Sequence, residues 1–256
     1  TLSYHEQKDI ENIKKLRELQ KELPSFCSDF FRGIETSTST RTRIAYAYDL
    51  KIFFQFLKTA NPGTFDNPSH TLTPSDLEKL TVTDLEEYID YLKCHPSDTN
   101  EDVINTERGL MRKVSSLRSF YSYFFRNERI EKNPAALVRM PKLHEKEIIR
   151  LEIDEVAKLL DEVEEGDKLT EKQKLYHERT KVRDLAMMSL LLGTGIRVSE
   201  CVGLNINDID LDTCGARVYR KGGKESVIYF SDEVRDVLED YLDEREMIDA
   251  VPGNED

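Results

Sequence analysis

Apolar positions in the first half of the chain recur at helical spacing. Residues 6–23 place Ile10, Ile13, Leu16 and Leu19 in step and stop at Pro24. Residues 26–32 form a short aromatic segment. The run TSTST then offers N-caps to a long helix over about 41–58, with Ile44, Tyr48, Ile52 and Phe56 in step. A Pro-rich loop, NPGTFDNPSHTLTPSD, leads to a helix capped by Thr83, with Leu85, Ile89 and Leu92 on one face and His95-Pro96 at its end. The longest helix is predicted over about 101–127, with Val103, Leu110, Val114, Leu117, Tyr121 and Phe124 as its stripe. NPAALVRMPKLHEKE reads as a short helix followed by an interdomain linker.

After Leu151 the texture changes. EIDEVAKLLDEVE is an amphipathic helix, and the polar insert GDKLTEKQKLYHERTK precedes DLAMMSLLLGTG. The near-continuous apolar run in that last segment predicts a helix buried on most sides. RVSECVGL continues as a further helix. ARVYR and ESVIYF are short β-branched and aromatic runs around KGGK, which predicts a hairpin with a glycine turn. EVRDVLEDYLDEREMI closes the pattern as an acidic helix. The fold expected is mainly α with a small antiparallel sheet: a helical domain over 1–140, a linker over 141–150 and a mixed α/β region over 151–256.

Composition narrows the function. No run approaches the length of a membrane span, and the polar first residues are unlike a signal peptide. Cys27, Cys94, Cys201 and Cys214 are far apart and make no metal-ligand pair, as expected of reduced structural thiols in a cytoplasmic protein. Net charge is −13, unusual for a nucleic-acid binder, but residues 231–256 alone hold two basic against eleven acidic side chains. Residues 105–150 carry eleven Lys or Arg against five acidic residues, where a phosphate-binding surface is expected.

Two segments carry candidate chemistry. In LLLGTGIRVSECVGL, Gly193 and Gly195 allow a tight turn and Arg197 opens the next helix. A guanidinium presents five donors in a rigid fork that suits two phosphate oxygens. Glu200, three residues on, shares its face and is placed to orient it. The plainer alternative is a structural Arg–Glu pair at a helix start. In VYRKGGKESVIYF, Arg220, Lys221 and Lys224 cluster at a hairpin tip, where the alternative is an ordinary charged turn.

Together and in this order, TGIRVSE and RKGGKE resemble the tyrosine recombinase family of phage-type integrases and Xer recombinases. RTRIAYAYDLKIFFQFL and KVSSLRSFYSYFFRNERIEKNPAALVRMPK resemble its core-binding domain, so the resemblance covers roughly residues 35–245. It implies an all-α, SAM-like core-binding domain followed by a truncated mixed α/β catalytic domain of the DNA breaking-rejoining type. It makes Arg197 the first catalytic arginine, Glu200 its support and Lys221, twenty-four positions on, the catalytic lysine. Arg43, Arg112, Arg118, Lys142, Arg220 and Lys224 are the expected DNA contacts. A His-x-x-Arg motif, a further His or Trp and the nucleophilic Tyr are expected beyond Asp256, so the chain reads as a fragment.

Implied partners are a specific double-stranded DNA site and other recombinase protomers, as a tetramer on two sites. No metal, cofactor or membrane is implied. The insert and the RKGGK hairpin look most like Xer enzymes that work as a single recombinase in chromosome-dimer resolution. A phage or conjugative-transposon integrase is the alternative within the family. A non-catalytic DNA- or partner-binding helical protein, or an acidic structural protein, is the alternative outside it.

Overall fold

Helical periodicity in the first half resolves into helices around a shared aromatic core. A computed structural model describes residues 4–96, 101–144, 147, 149–220 and 224–246. Two compact units divide between residues 146 and 147, each with its own core.

The first unit contains α1 (Tyr4–Lys21), α2 (Cys27–Gly33), α3 (Thr40–Ala60), the single turns α4 (Pro62–Phe65) and α5 (Pro74–Leu77), and α6 (Val82–Lys93). A small hairpin, β1 (Cys94–Pro96) and β2 (Asp102–Ile104), precedes α7 (Glu107–Arg126) and a 3-10 turn, Pro134–Ala136. Phe120 of α7 is the hub of the core. Its ring lies edge-on to Phe30 at 5.2 Å, Phe54 at 6.2 Å and Phe124 at 5.1 Å. Each fully buried ring contributes about 1.5–3 kcal/mol through removal from water, and the edge-on geometry adds to that.

Several elements shift from their expected places. In α3 the buried stripe runs through Ile44, Ala47, Leu50, Phe54 and Leu57, while Tyr48 is 42% exposed. Both α6 and α7 cover α3, so its buried face is wider than one stripe and centred off the Tyr48 row. Only the second half of α1 is packed: Leu16 and Leu19 are buried, Ile10 and Ile13 exposed. Thr81, not Thr83, caps α6, through a reciprocal pair in which Thr81 N–H donates to Asp84 and Asp84 N–H to the Thr81 hydroxyl. The expected helix from residue 101 begins only at Glu107. Val103 pairs with His95 in the hairpin, and the Thr106 hydroxyl caps α7 by accepting from Gly109 N–H at 3.3 Å. β-Branched Val103 and Ile104 after a Pro-terminated helix favour extension over another turn.

The second unit contains α8 (Ile153–Glu165), α9 (Glu171–Thr194), α10 (Val198–Cys201), a 3-10 turn (Ile206–Asp208), β3 (Ile209–Asp210), β4 (Gly215–Arg220), β5 (Lys224–Tyr229) and α11 (Asp232–Glu246). The strands form an antiparallel sheet in the order β3-β4-β5. From Glu171 the polar insert is the first half of α9, opened by Thr170, whose N–H and hydroxyl both donate to Gln173. The expectation that the apolar run is buried on most sides is also corrected. Along it only Ala186, Ser189 and Leu190 are fully buried, because α8, α10 and α11 cover just part of the circumference. No described helix is long and apolar enough to cross a membrane.

Candidate active site and nucleic-acid interface

Each residue of the segment from Thr194 to Cys201 has a local reason. The Thr194 hydroxyl donates to the Leu190 carbonyl at 2.5 Å and accepts from Ile196 N–H at 3.4 Å, tying off α9. Gly195 takes φ +65°, a left-handed conformation that other residues enter only with strain, and its N–H closes the helix on Leu191 O. Ile196 and Cys201 are buried in the second unit's core and anchor the turn on both sides. Arg197 thereby falls at the N-cap of α10, in extended conformation, with its side chain 69% exposed.

Glu200 does the converse: its side chain is only 5% exposed. One carboxylate oxygen accepts from Arg197 N–H at 3.0 Å and the other from Arg197 Nη1 at 2.7 Å. The backbone bond foremost, then the guanidinium, holds the carboxyl below its usual range against the cost of burial. The charge of Arg220, at the end of β4, acts in the same direction. An exposed guanidinium is thus bonded through one nitrogen to a buried anion.

Lys221 lies outside the described residues. Arg220 and Lys224 flank that tip, both exposed and directly opposite each other in the β4–β5 register. Tyr241, the only tyrosine of α11, is partly buried and packed against the unit's core.

In the first unit the expected contacts divide sharply. Arg43 is corrected from a DNA contact to a buried structural residue, 8% exposed, with Nη1 on Glu35 at 2.7 Å and Nη2 near Thr40. Arg118 is half-buried and tied to the backbone: Nε donates to Ala135 O at 3.1 Å and Nη2 to Val138 O, supplying donors that a 3-10 turn leaves its carbonyls without. The NPA segment is pinned to α7 this way. Arg112 is half-exposed, with two of its donors on Asp49. Its neighbour Lys113 is buried on Asn105, and burial lowers its pKa. Lys142 is exposed, in the segment before His144, which pairs with Glu107 at 2.6 Å. Asp49 was missed in the sequence, although a lone acid inside the apolar run AYAYDLKIFF is the signal that finds it.

Comparison with known proteins places the sequence and the fold among relatives. The profile of the Phage integrase family matches residues 149–254. Tyrosine recombinase XerC of Caldanaerobacter subterraneus subsp. tengcongensis is 34% identical over 228 residues, which is 86% of this chain and 58% of that protein. Tyrosine recombinase XerS of Streptococcus uberis is 31% identical over 259 residues, covering 91% of this chain and 71% of that protein. A XerH site-specific recombinase bound to difH in a pre-cleavage complex superposes with TM-score 0.57 at 16% identity, over 94% of this chain and 65% of that one. A lambda integrase tetramer bound to a Holliday junction gives 0.55 at 18%, over 88% and 56%.

The fold is therefore that of site-specific recombinases and integrases. Within that class, the chain belongs to the tyrosine recombinase family, and the named relatives it matches are Xer proteins. It spans 58–59% of the length of the XerC relatives from Caldanaerobacter and Leptospira.

Proposed function

We propose that this chain is the DNA-gripping and first catalytic portion of an Xer-like site-specific recombinase, acting in chromosome-dimer resolution. The observation that carries the reading is the Arg197–Glu200 arrangement: an exposed fork held by a buried carboxylate within a matched recombinase fold. In this reading a tyrosine hydroxyl attacks a DNA phosphorus. The new phosphorus–oxygen bond to tyrosine forms as the bond to the 5′ oxygen breaks, leaving a 3′-phosphotyrosine. Arg197 stabilises charge gathering on the non-bridging oxygens, and Lys221 protonates the departing 5′ oxygen. Bond energy is conserved in the phosphotyrosine, so rejoining runs by attack of a 5′ hydroxyl with no nucleotide consumed. The partners are a specific duplex site and further protomers of the same protein, in the cytoplasm where chromosomal DNA lies.

The test is a denaturing gel of protein incubated with a nicked duplex site. A longer protein that continues this sequence through a His-x-x-Arg motif and a late Tyr should trap a covalent adduct, while the 256-residue chain should not. Binding without an adduct from the longer protein overturns the recombinase reading in favour of a non-catalytic DNA binder. An adduct on the present chain moves the nucleophile inside it, with Tyr241 first to be replaced.

A further inference from the structure

Strand alternation sorts the hairpin's cations by face. Ala216 and Val218 of β4 point into the core beside Ile196 and Cys201, so Arg220, two positions on, continues that face toward α10. Lys224 is its direct cross-strand partner and shares the face, as Ser226 and Ile228 share it opposite Val218 and Ala216. Arg217 and Tyr219 lie on the opposite face. Two cations directly opposite each other destabilise a sheet unless an anion lies between them. Among the described residues neither Arg220 nor Lys224 has a carboxylate within ion-pairing distance, and the buried carboxylate of Glu200, whose charge Arg220 feels, is already bonded twice to Arg197. α10 packs against β4, which brings the exposed Arg197 fork to the same end of the sheet. Among the described residues, Arg197 and Arg220 thus share one internal anion, and Lys224 opposite Arg220 adds a further positive charge with no anion of its own.

We infer that Arg197, Arg220 and Lys224 form a single phosphate cradle, in which Arg220 is a second guanidinium on the same phosphodiester group that Arg197 grips. The inference rests on the proposed phosphate-gripping role of Arg197 and extends it to a named partner on the sheet. Arg220 acts twice: it meets a non-bridging oxygen, and its charge adds to the bonds from Arg197 in favouring the ionised form of Glu200.

The experiment uses the whole chain, with nitrogen-labelled arginine side chains and carbon-labelled glutamate carboxyls, titrated with inorganic phosphate and separately with pH. Phosphate should move the Arg197 and Arg220 Nε–H signals together, with one affinity. Arg220→Gln should weaken phosphate at Arg197 about three- to tenfold and raise the midpoint of Glu200. Arg220→Lys should restore the Glu200 midpoint, since charge is kept, but only part of the affinity, since the fork is lost. Arg217→Gln, on the other face, should change neither and serves as the control for general loss of charge. If Arg220→Gln behaves like Arg217→Gln while Arg197 still responds to phosphate, the cradle is wrong and the Arg197 role stands. If Arg197 does not respond in the unsubstituted chain, the phosphate-gripping role itself fails and takes the cradle with it.

Discussion

The Arg112 guanidinium grips the Asp49 carboxylate through two bonds, at 2.5 and 2.7 Å, joining α7 to α3 across 63 positions of sequence. Asp49 is only 2% exposed, and its burial, opposed by Arg112, raises its pKa. The pair fixes the crossing of the two longest helices of the first unit. Arg112→Ala leaves that carboxylate buried and unpaired, which should cost about 2–4 kcal/mol, discounted because the arginine is half-exposed. Urea unfolding followed by circular dichroism measures it. A loss in DNA binding with unchanged stability would return Arg112 to the DNA interface.

Arg118 makes a similar tie over a shorter span, from α7 to the carbonyls of Ala135 and Val138. Arg118→Ala should destabilise the first unit by about 1–2 kcal/mol and expose the NPA turn, seen as faster amide exchange over residues 133–138. Arg118→Lys should not restore protection, since one ammonium cannot reach two carbonyls as a fork does.

Acid should act on the loop before α6. Burial opposes ionisation of Asp76, but bonds from Lys79, the Thr73 N–H, His70 and the Thr73 hydroxyl outweigh it and hold the carboxyl at about 2. Its folded pKa lies below the ordinary value, so the stability it contributes is present above about pH 4 and is lost as pH falls through about 2. The contribution is on the order of 2 kcal/mol. Asp76→Asn should flatten the stability profile between pH 4 and 2; a profile parallel to the unsubstituted chain would remove Asp76 from the acid transition.

DNA binding by the chain should fall steeply with salt, because phosphate contacts release counterions. Lys142→Ala and Lys224→Ala, both at exposed positions, should each weaken binding on all sequences alike and reduce the salt slope by about one. Arg43→Met should leave the slope unchanged, since its charge faces Glu35. An equal drop in slope for Arg43→Met would reverse its assignment to the interior.

In the longer protein, Arg197→Ala should leave duplex binding nearly intact and slow adduct formation by about a hundred- to a thousandfold, because the fork gains most as phosphate charge rises in the transition state. Lys221→Ala should be rescued by a substrate with a 5′-bridging sulfur, which leaves without a proton. Arg197→Ala should not. Rescue of both by sulfur would mean that Arg197 too serves the leaving group.

The sequence by itself determined the elements whose signals are local. The TGIRVSE turn is one, because a left-handed glycine, a capping carboxylate and a buried isoleucine act within eight residues. The β4–β5 strand pair is another, with inward-facing Ala216, Val218 and Ile228 alternating with exposed residues. Tertiary structure alone decided which cations remain available to a ligand. Arg43, Arg112 and Arg118 read in the sequence as equals of Lys142, yet partners at Glu35, Asp49, Ala135 and Val138 claim their donors from 8 to 63 positions away. The α3 stripe, the hairpin before α7 and the half-covered α9 were decided in the same way. Periodicity reports the spacing of apolar side chains along one element, whereas exposure depends on how many other elements cover it, and that is fixed only when the chain folds on itself.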